Sequence, residues 1–275
     1  MEWHFLHSFA SHIVDESPKA SNFERHCHNE FEILYVIRGS GDYVVEGTQY
    51  SFQSGSLLLL RPMEYHFVRP SEKEPYERYV IRFDSSALMD CASRLSFLQM
   101  QKHPSHGVYF CSDGFSLRIR PPFSTLGALE NEQFSRHPAR GEALLNSAIT
   151  QILLLLSLEQ TVDTDADVHP IVANAVEYLN NHLSDNLSLD RLAQEFFISK
   201  YYLSRLFRTH MGMPPQTYLS TKRLIRAKQL IDQGTSASEA SVAVGFGDYS
   251  AFYRAFRKQF GYAPTQGKPK QKSDL

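Results

Sequence analysis

The 275 residues are 42% hydrophobic and 12% aromatic, which is enough for packed cores and suggests two domains rather than one. No run reaches the roughly 18 apolar residues of a membrane span, "MEWHFLHSFASH" has no signal-peptide pattern, and scattered Cys27, Cys91 and Cys111 argue against a disulfide framework or zinc knuckle. The net charge of −2 divides into −8 for residues 1–167 and +6 for residues 168–275, so only the C-terminal third suits a polyanion.

The first hundred or so residues predict short strands. "EFEILYVIRGSGDYVVEGTQYSFQSGSLLLLRP" mixes β-branched and aromatic residues, with glycine-containing breaks spaced as hairpins are. "RYVIRF" (78–83), "GVYFC" (107–111) and "SLRIR" (116–120) are read as further strands, giving a sandwich or small barrel. Within this region "RHCHNEFEILYVIRG" places His26, His28 and Glu32 where strand alternation would bring them to one face. That set suits a metal ion or the wall of a metal-free polar pocket. Arg61 and His66 lie nearby. Tyr35, Phe52, Tyr65 and Trp3 are candidates to stack on a bound ring, with the Trp3–Phe5 arm folded over the pocket.

From about residue 124 the pattern becomes helical. "GEALLNSAITQILLLLSLEQ" (141–160) is apolar on more than one side, suiting both a cover for the barrel and a dimer contact. "TVDTDADVHP" then reads as a linker. Beyond it, "LSLDRLAQEFFISKYYLSRLFRTHMG" and "SASEASVAVGFGDYSAFYRAFRKQFG" each read as a short helix, a tight turn and a second helix. Ser188, Ser199 and Asp248 are placed to cap helices. Tyr201, Ser204, Arg205 and Arg208 in the first unit, and Tyr249, Ser250, Tyr253, Arg254 and Arg257 in the second, are left to face outward. "PPQTYLSTKRLIRAKQLIDQG" joins the units as a long helix whose Lys222, Arg223, Arg226 and Lys228 are candidates for phosphate contacts.

Residues 170–266 resemble the DNA-binding domain of AraC-type transcriptional regulators, along the two stretches just quoted and through Pro264. Ala240 and Ser241 stand where that family usually has a bulkier Ile-Ala pair, and "TQGKPK" replaces its usual aromatic and Arg. "HCHNEFEILYVIRG" and "GSLLLLRPMEYH" resemble the two cupin motifs at His26, His28, Glu32 and Gly39, and at Gly55, Pro62 and His66.

The resemblance implies an α+β multidomain protein. Residues 1–123 would form a cupin-like effector-binding β-barrel and 124–160 flanking, dimerising helices. A linker at 161–169 would lead to an all-α domain of two helix-turn-helix units over 170–266, joined by a long helix, and then a basic tail at 267–275. The implied protein is a cytoplasmic, homodimeric regulator, an activator rather than an enzyme. Its partners would be double-stranded DNA, RNA polymerase and a small-molecule effector such as a carbohydrate. DNA contacts are assigned to the nine outward residues named above. Effector contacts are assigned to His26, His28, Glu32, Tyr35, Arg61 and His66. The metal-free pocket is preferred, so no cofactor is expected, although His26, His28, Glu32 and His66 suit Zn²⁺, Fe²⁺ or Mn²⁺. The rival readings are a cupin metalloenzyme fused to a DNA-binding tail and a barrel that serves only structure or dimerisation.

Overall fold

The computed structural model describes residues 2–23, 25–88, 109–111, 113–127, 136–158 and 169–265. The chain forms two compact units, Met1–Val168 and His169–Leu275. The expected linker lies almost wholly outside the described residues, and the expected basic tail entirely so.

Among its described residues the first unit has nine strands: β1 (Glu2–His4), β2 (Ser8–Asp15), β3 (Phe31–Arg38), β4 (Gly41–Val45), β5 (Thr48–Phe52), β6 (Leu57–Leu60), β7 (His66–Pro70), β8 (Tyr76–Phe83) and β9 (Tyr109–Cys111). They pair antiparallel in a six-stranded sheet, β1-β2-β8-β3-β6-β9, and a three-stranded sheet, β5-β4-β7. The described residues that follow include the helices α1 (Asp113–Leu126) and α2 (Pro138–Leu158).

The continuous apolar runs of β3 and β6 follow from burial on both faces. Leu34, Val36, Leu58 and Leu60 point inward to meet Tyr43, Val45, Phe52 and Val68 of the smaller sheet. Phe31, Ile33, Tyr35, Leu57 and Leu59 point the other way, onto Ile119 and Phe123 of α1 and Leu145, Ile149 and Ile152 of α2. Alternation therefore places Glu32 on the inward face, at the start of β3.

Three expectations are corrected here. "SLRIR" is not a strand; it lies within α1, because Ile119, Phe123 and Leu126 recur at helical spacing and are all buried. Pro121 and Pro122 sit inside this helix, and the Pro121 carbonyl accepts from Ser124 Oγ at 2.8 Å and Thr125 Oγ1 at 3.1 Å. The arm does not close over the barrel interior. β1 pairs with β2 at the sheet edge, and Trp3 and Phe5 pack on the helix-covered core. Tyr35 is removed from the pocket by parity: three residues from Glu32 it faces the opposite side, stacked on Phe123 with ring centroids 4.3 Å apart.

Among its described residues the second unit is all helix: α3 (Pro170–Asn181), α4 (Leu189–Glu195), α5 (Lys200–Met211), α6 (Pro215–Asp232), α7 (Ala237–Ala243) and α8 (Tyr249–Phe260). The 18-residue α6 is about 27 Å long at the helical rise. Its C-terminal half contributes Leu224 and Ala227 to a core with Ala240, Val244, Phe252 and Phe256. The small pair at 240–241 is fully packed, and the Ser241 hydroxyl donates to Ser238 O at 2.7 Å. Among the described residues no helix is long and apolar enough to cross a membrane.

Candidate functional sites

In the second unit α4–α5 and α7–α8 repeat one construction. Ser188 Oγ accepts from Arg191 N at 3.1 Å and Ser236 Oγ from Glu239 N at 3.2 Å, starting the shorter helices. Each shorter helix closes on a left-handed residue, Phe197 or Gly245, with Ile198 N donating to Ala193 O and Phe246 N to Ser241 O. Ser199 then caps α5 and Asp248 caps α8. Leu203, Phe207 and Met211 form the inner stripe of α5, and Phe252 and Phe256 the matching stripe of α8.

Counted from these caps, the two helices place equivalent residues at equivalent positions. Arg205 matches Arg254 and Arg208 matches Arg257, and all four are exposed. Tyr201 matches Ser250 and Ser204 matches Tyr253, so a Tyr–Ser pair is exchanged between the units. Tyr201, Tyr249 and Ser250 are exposed, whereas Ser204 and Tyr253 are half-buried. An exposed strip headed by arginine on two similar helices has the chemistry to meet phosphates and base edges.

The joining helix is less available than its composition suggests. Lys222 is buried with Nζ over the Tyr218 ring, 5.2 Å from its centroid. Arg223 donates to Leu183 O and Asp185 O, both at 2.6 Å, and so holds the loop between α3 and α4. Arg226 is exposed and bonded to Gln229, and Lys228 pairs with Asp232. The expectation of four phosphate contacts from α6 is corrected accordingly.

In the first unit, the cupin-like motifs converge. His26 and His66 form an isolated antiparallel bridge, with His26 N donating to His66 O at 3.1 Å and His66 N to His26 O at 2.9 Å. One ligand atom from each of His26, His28, Glu32 and His66 lies within 4.8 Å of all the others. His28 is placed by Met63 N donating to its carbonyl at 2.8 Å, not by a strand. Gly39 ends β3 at φ +114°, where a Cβ would lie 2.9 Å from Pro75 O. Arg61 turns away into an ion pair with Glu64, with Nε 3.1 Å from Oε1, across the turn that delivers His66.

Glu32 is the hub. His28 Nε2 lies 3.0 Å from Oε2, Arg82 Nε 3.3 Å from Oε2, Tyr43 Oη 3.3 Å from Oε1 and His66 Nε2 3.8 Å from Oε1. Burial acting alone would raise the carboxyl, but the hydrogen bond from His28 and the charges of His66, His28 and Arg82 hold it well below the usual carboxylate range. Burial lowers the His66 imidazole to about 4 against the pull of Glu32. Burial and then the Glu32 charge push Tyr43 upward.

Tyr43 and Arg82 were not anticipated from the sequence. Arg82 lies directly opposite Glu32 in the β3–β8 register, a pairing that becomes visible only once the strands are aligned.

Residues 13–196 match the family model described as AraC-like ligand binding domain, and residues 192–268 match a helix-turn-helix domain. Among curated relatives, the HTH-type transcriptional activator RhaS of Escherichia fergusonii is 26% identical over 253 residues, covering 89% of this chain and 87% of that protein. The protein of the same description from Escherichia coli O81 is 25% identical over 269 residues, covering 93% and 91%. Among solved structures, ToxT from Vibrio cholerae O395 is matched over 93% of this chain and 95% of that one, at 13% identity and a TM-score of 0.36.

Proposed function

We infer the function from a single premise: the chain belongs to the AraC family of transcriptional regulators, with a ligand-binding domain ahead of a helix-turn-helix DNA-binding region. The finer reading is that the barrel takes up a small polar effector, a carbohydrate, and that its binding alters how the C-terminal unit engages DNA. The chain would act as an activator, as its relatives' description suggests, and as a homodimer that presents RNA polymerase with the promoter-bound complex.

The observation that carries this reading is the convergence of exposed His26, half-buried His28 and buried Glu32 and His66 beside the apolar interior of the sandwich. Burying Glu32 and His66 costs free energy that the core does not need. A ligand rich in hydroxyls offers both donors and acceptors to such a group of imidazoles and a carboxylate. Arg61 remains a rim candidate only if its pairing with Glu64 opens.

On the DNA side, α5 and α8 are read as the helices that enter successive major grooves. Arg205 and Arg254 would read guanine edges, flanked by Tyr201, Ser204, Tyr249, Ser250 and Tyr253, while Arg208 and Arg257 hold phosphates.

The test is operator binding by the full chain across a panel of sugars. One sugar should both raise the thermal midpoint and change operator affinity, because coupling requires different affinities for the two states. With a selected operator, Arg205→Ala should relax preference at one base pair, by about 1–3 kcal/mol. Uniform weakening on every sequence, with a shallower salt slope, would instead make Arg205 a phosphate contact.

A further inference from the structure

We propose that Phe197, in the turn that leads into α5, is a specificity-determining residue whose ring packs on a thymine methyl group in the groove that receives this helix. This role rests on α5 being a recognition helix.

The placement of the exposed aromatic residues points there first. Among the described residues the exposed Phe, Tyr and Trp side chains are Phe197, Tyr201 and Tyr249. Each stands within two residues of Ser199 or Asp248, the caps of α5 and α8. An apolar side chain exposed singly needs no explanation, but a gathering at the starts of two arginine-bearing helices does. The two tyrosines carry a hydroxyl for water to bind. Phe197 has none, and it is 96% exposed.

The backbone holds the ring in place. Phe197 takes the left-handed conformation at φ 53°, which a side chain disfavours and glycine does not. Its N–H donates to Gln194 O and that of Ile198 to Ala193 O, both at 3.1 Å, so the turn is fixed. The flanking side chains are engaged within the unit: Phe196 meets Tyr178 edge-on with centroids 6.0 Å apart, and Ile198 is half-buried. Phe197 keeps its strain without packing in return, as a residue does whose partner is another molecule.

Charge and neighbours select the partner. Residues 168–275 carry a net +6, and exposed Tyr201, Arg205 and Arg208 continue along α5 from its cap. The N-terminal residues of a recognition helix meet base edges, and the apolar group offered there by the major groove is the thymine C5-methyl. Glu195, exposed two residues before Phe197, would repel a phosphate, which favours a base edge over the backbone. A protein partner would need an apolar patch, whereas the exposed residues around Phe197 in sequence are Gln194, Glu195 and Ser199. In the second unit the corresponding left-handed residue is Gly245, where a Cβ would overlap Ser184 O. The thymine contact is therefore confined to the half-site read by α5.

The test uses the full chain on an operator selected from random duplexes, with each thymine in turn replaced by deoxyuridine, which removes only the methyl. The unmodified chain should lose about fourfold in affinity at one such position, the worth of one buried methyl. Phe197→Ala keeps the backbone strain and removes the ring. It should lose a similar factor on the thymine operator and be indifferent to deoxyuridine at that position. Phe197→Leu should restore part of the discrimination, and both variants should melt with the unmodified chain. Affinity insensitive to every deoxyuridine, or equally sensitive with and without the ring, would overturn the proposal. Equal weakening on all sequences would put the ring on the sugar–phosphate backbone, and a lowered melting midpoint or a changed oligomeric state would put it against protein; each of these overturns it too. Arg205→Ala on the same operator separates the two readings. If it alters base preference while deoxyuridine costs the unmodified chain and Phe197→Ala the same, only the thymine contact fails. If neither variant alters base preference, recognition by α5 fails with it.

Discussion

The two helix-turn-helix units share caps, hydrogen-bond pattern and arginine positions, yet they differ at the residue that turns the chain. In the first, Phe197 takes the left-handed conformation at φ 53° and its side chain is 96% exposed. In the second, Gly245 takes it at φ 85°, and a Cβ there would lie 2.4 Å from Ser184 O. The turn geometry alone therefore does not demand glycine, since the first unit makes it with an aromatic. Glycine is required where another backbone segment lies against the turn. Ser184 sits in the loop that Arg223 fixes through Leu183 O and Asp185 O, so the second turn packs against a braced surface while the first faces solvent.

The largest effect expected from this difference is at Gly245. Gly245→Ala adds left-handed strain of about 1–2 kcal/mol and an overlap with a carbonyl that has little room to retreat, so a total loss of about 2–4 kcal/mol is expected. Thermal or denaturant unfolding of the C-terminal unit measures it. In an Arg223→Ala background the loop is freer, and the added cost of Gly245→Ala should shrink. Additive costs would show that the carbonyl contact is not what demands the glycine.

A smaller contrast lies at the recognition-helix caps. Asp248 accepts from Ser250 N at 3.2 Å and Ala251 N at 2.8 Å, whereas Ser199 accepts only from Tyr202 N at 3.2 Å. Asp248 also places a negative charge at the positive end of α8. Asp248→Ala should cost about 1–2 kcal/mol and Ser199→Ala about 1 kcal/mol. The order should hold in melting temperatures and weaken in high salt, since only the Asp248 contribution is partly electrostatic. Equal losses, unchanged by salt, would leave the second hydrogen bond and the charge without effect.

These units were legible because their signals are local. Ser188, Ser199 and Asp248 each cap the helix that their sequence position assigns them, and the buried stripes of α5 and α8 follow one period. The barrel was legible in outline through β8, where glycine breaks separate apolar runs. What failed there depends on contacts distant in sequence. "SLRIR" alternates like a strand, and only α2 packing on Ile119, Phe123 and Leu126 reveals the helix. Tyr35 resembled a pocket residue until the start of β3 fixed its parity. The convergence of His66 with His26 needs the bridge between them, which no spacing within either motif specifies. Lys222 and Arg223 read as phosphate contacts because their partners, Tyr218 and the 183–185 loop, are recognised only in the folded unit.

The smallest expected effect is at Phe197, and its sign is the informative part. Glycine would relieve the left-handed strain, worth about 1–2 kcal/mol, and would restore about 0.4–1 kcal/mol of chain entropy to the unfolded state. The ring gives up almost no burial within the described residues, so Phe197→Gly should stabilise the C-terminal unit by about 0.5 kcal/mol. The denaturation midpoint measures this. A loss of 1 kcal/mol or more would mean that the ring is covered in solution, which an isolated exposed side chain cannot explain. If stability holds while operator affinity falls, the ring contributes at the DNA face instead. It stands two residues before the cap of α5, close in sequence to exposed Tyr201, and strain kept at such a position without any packing gain is the pattern expected of a binding surface.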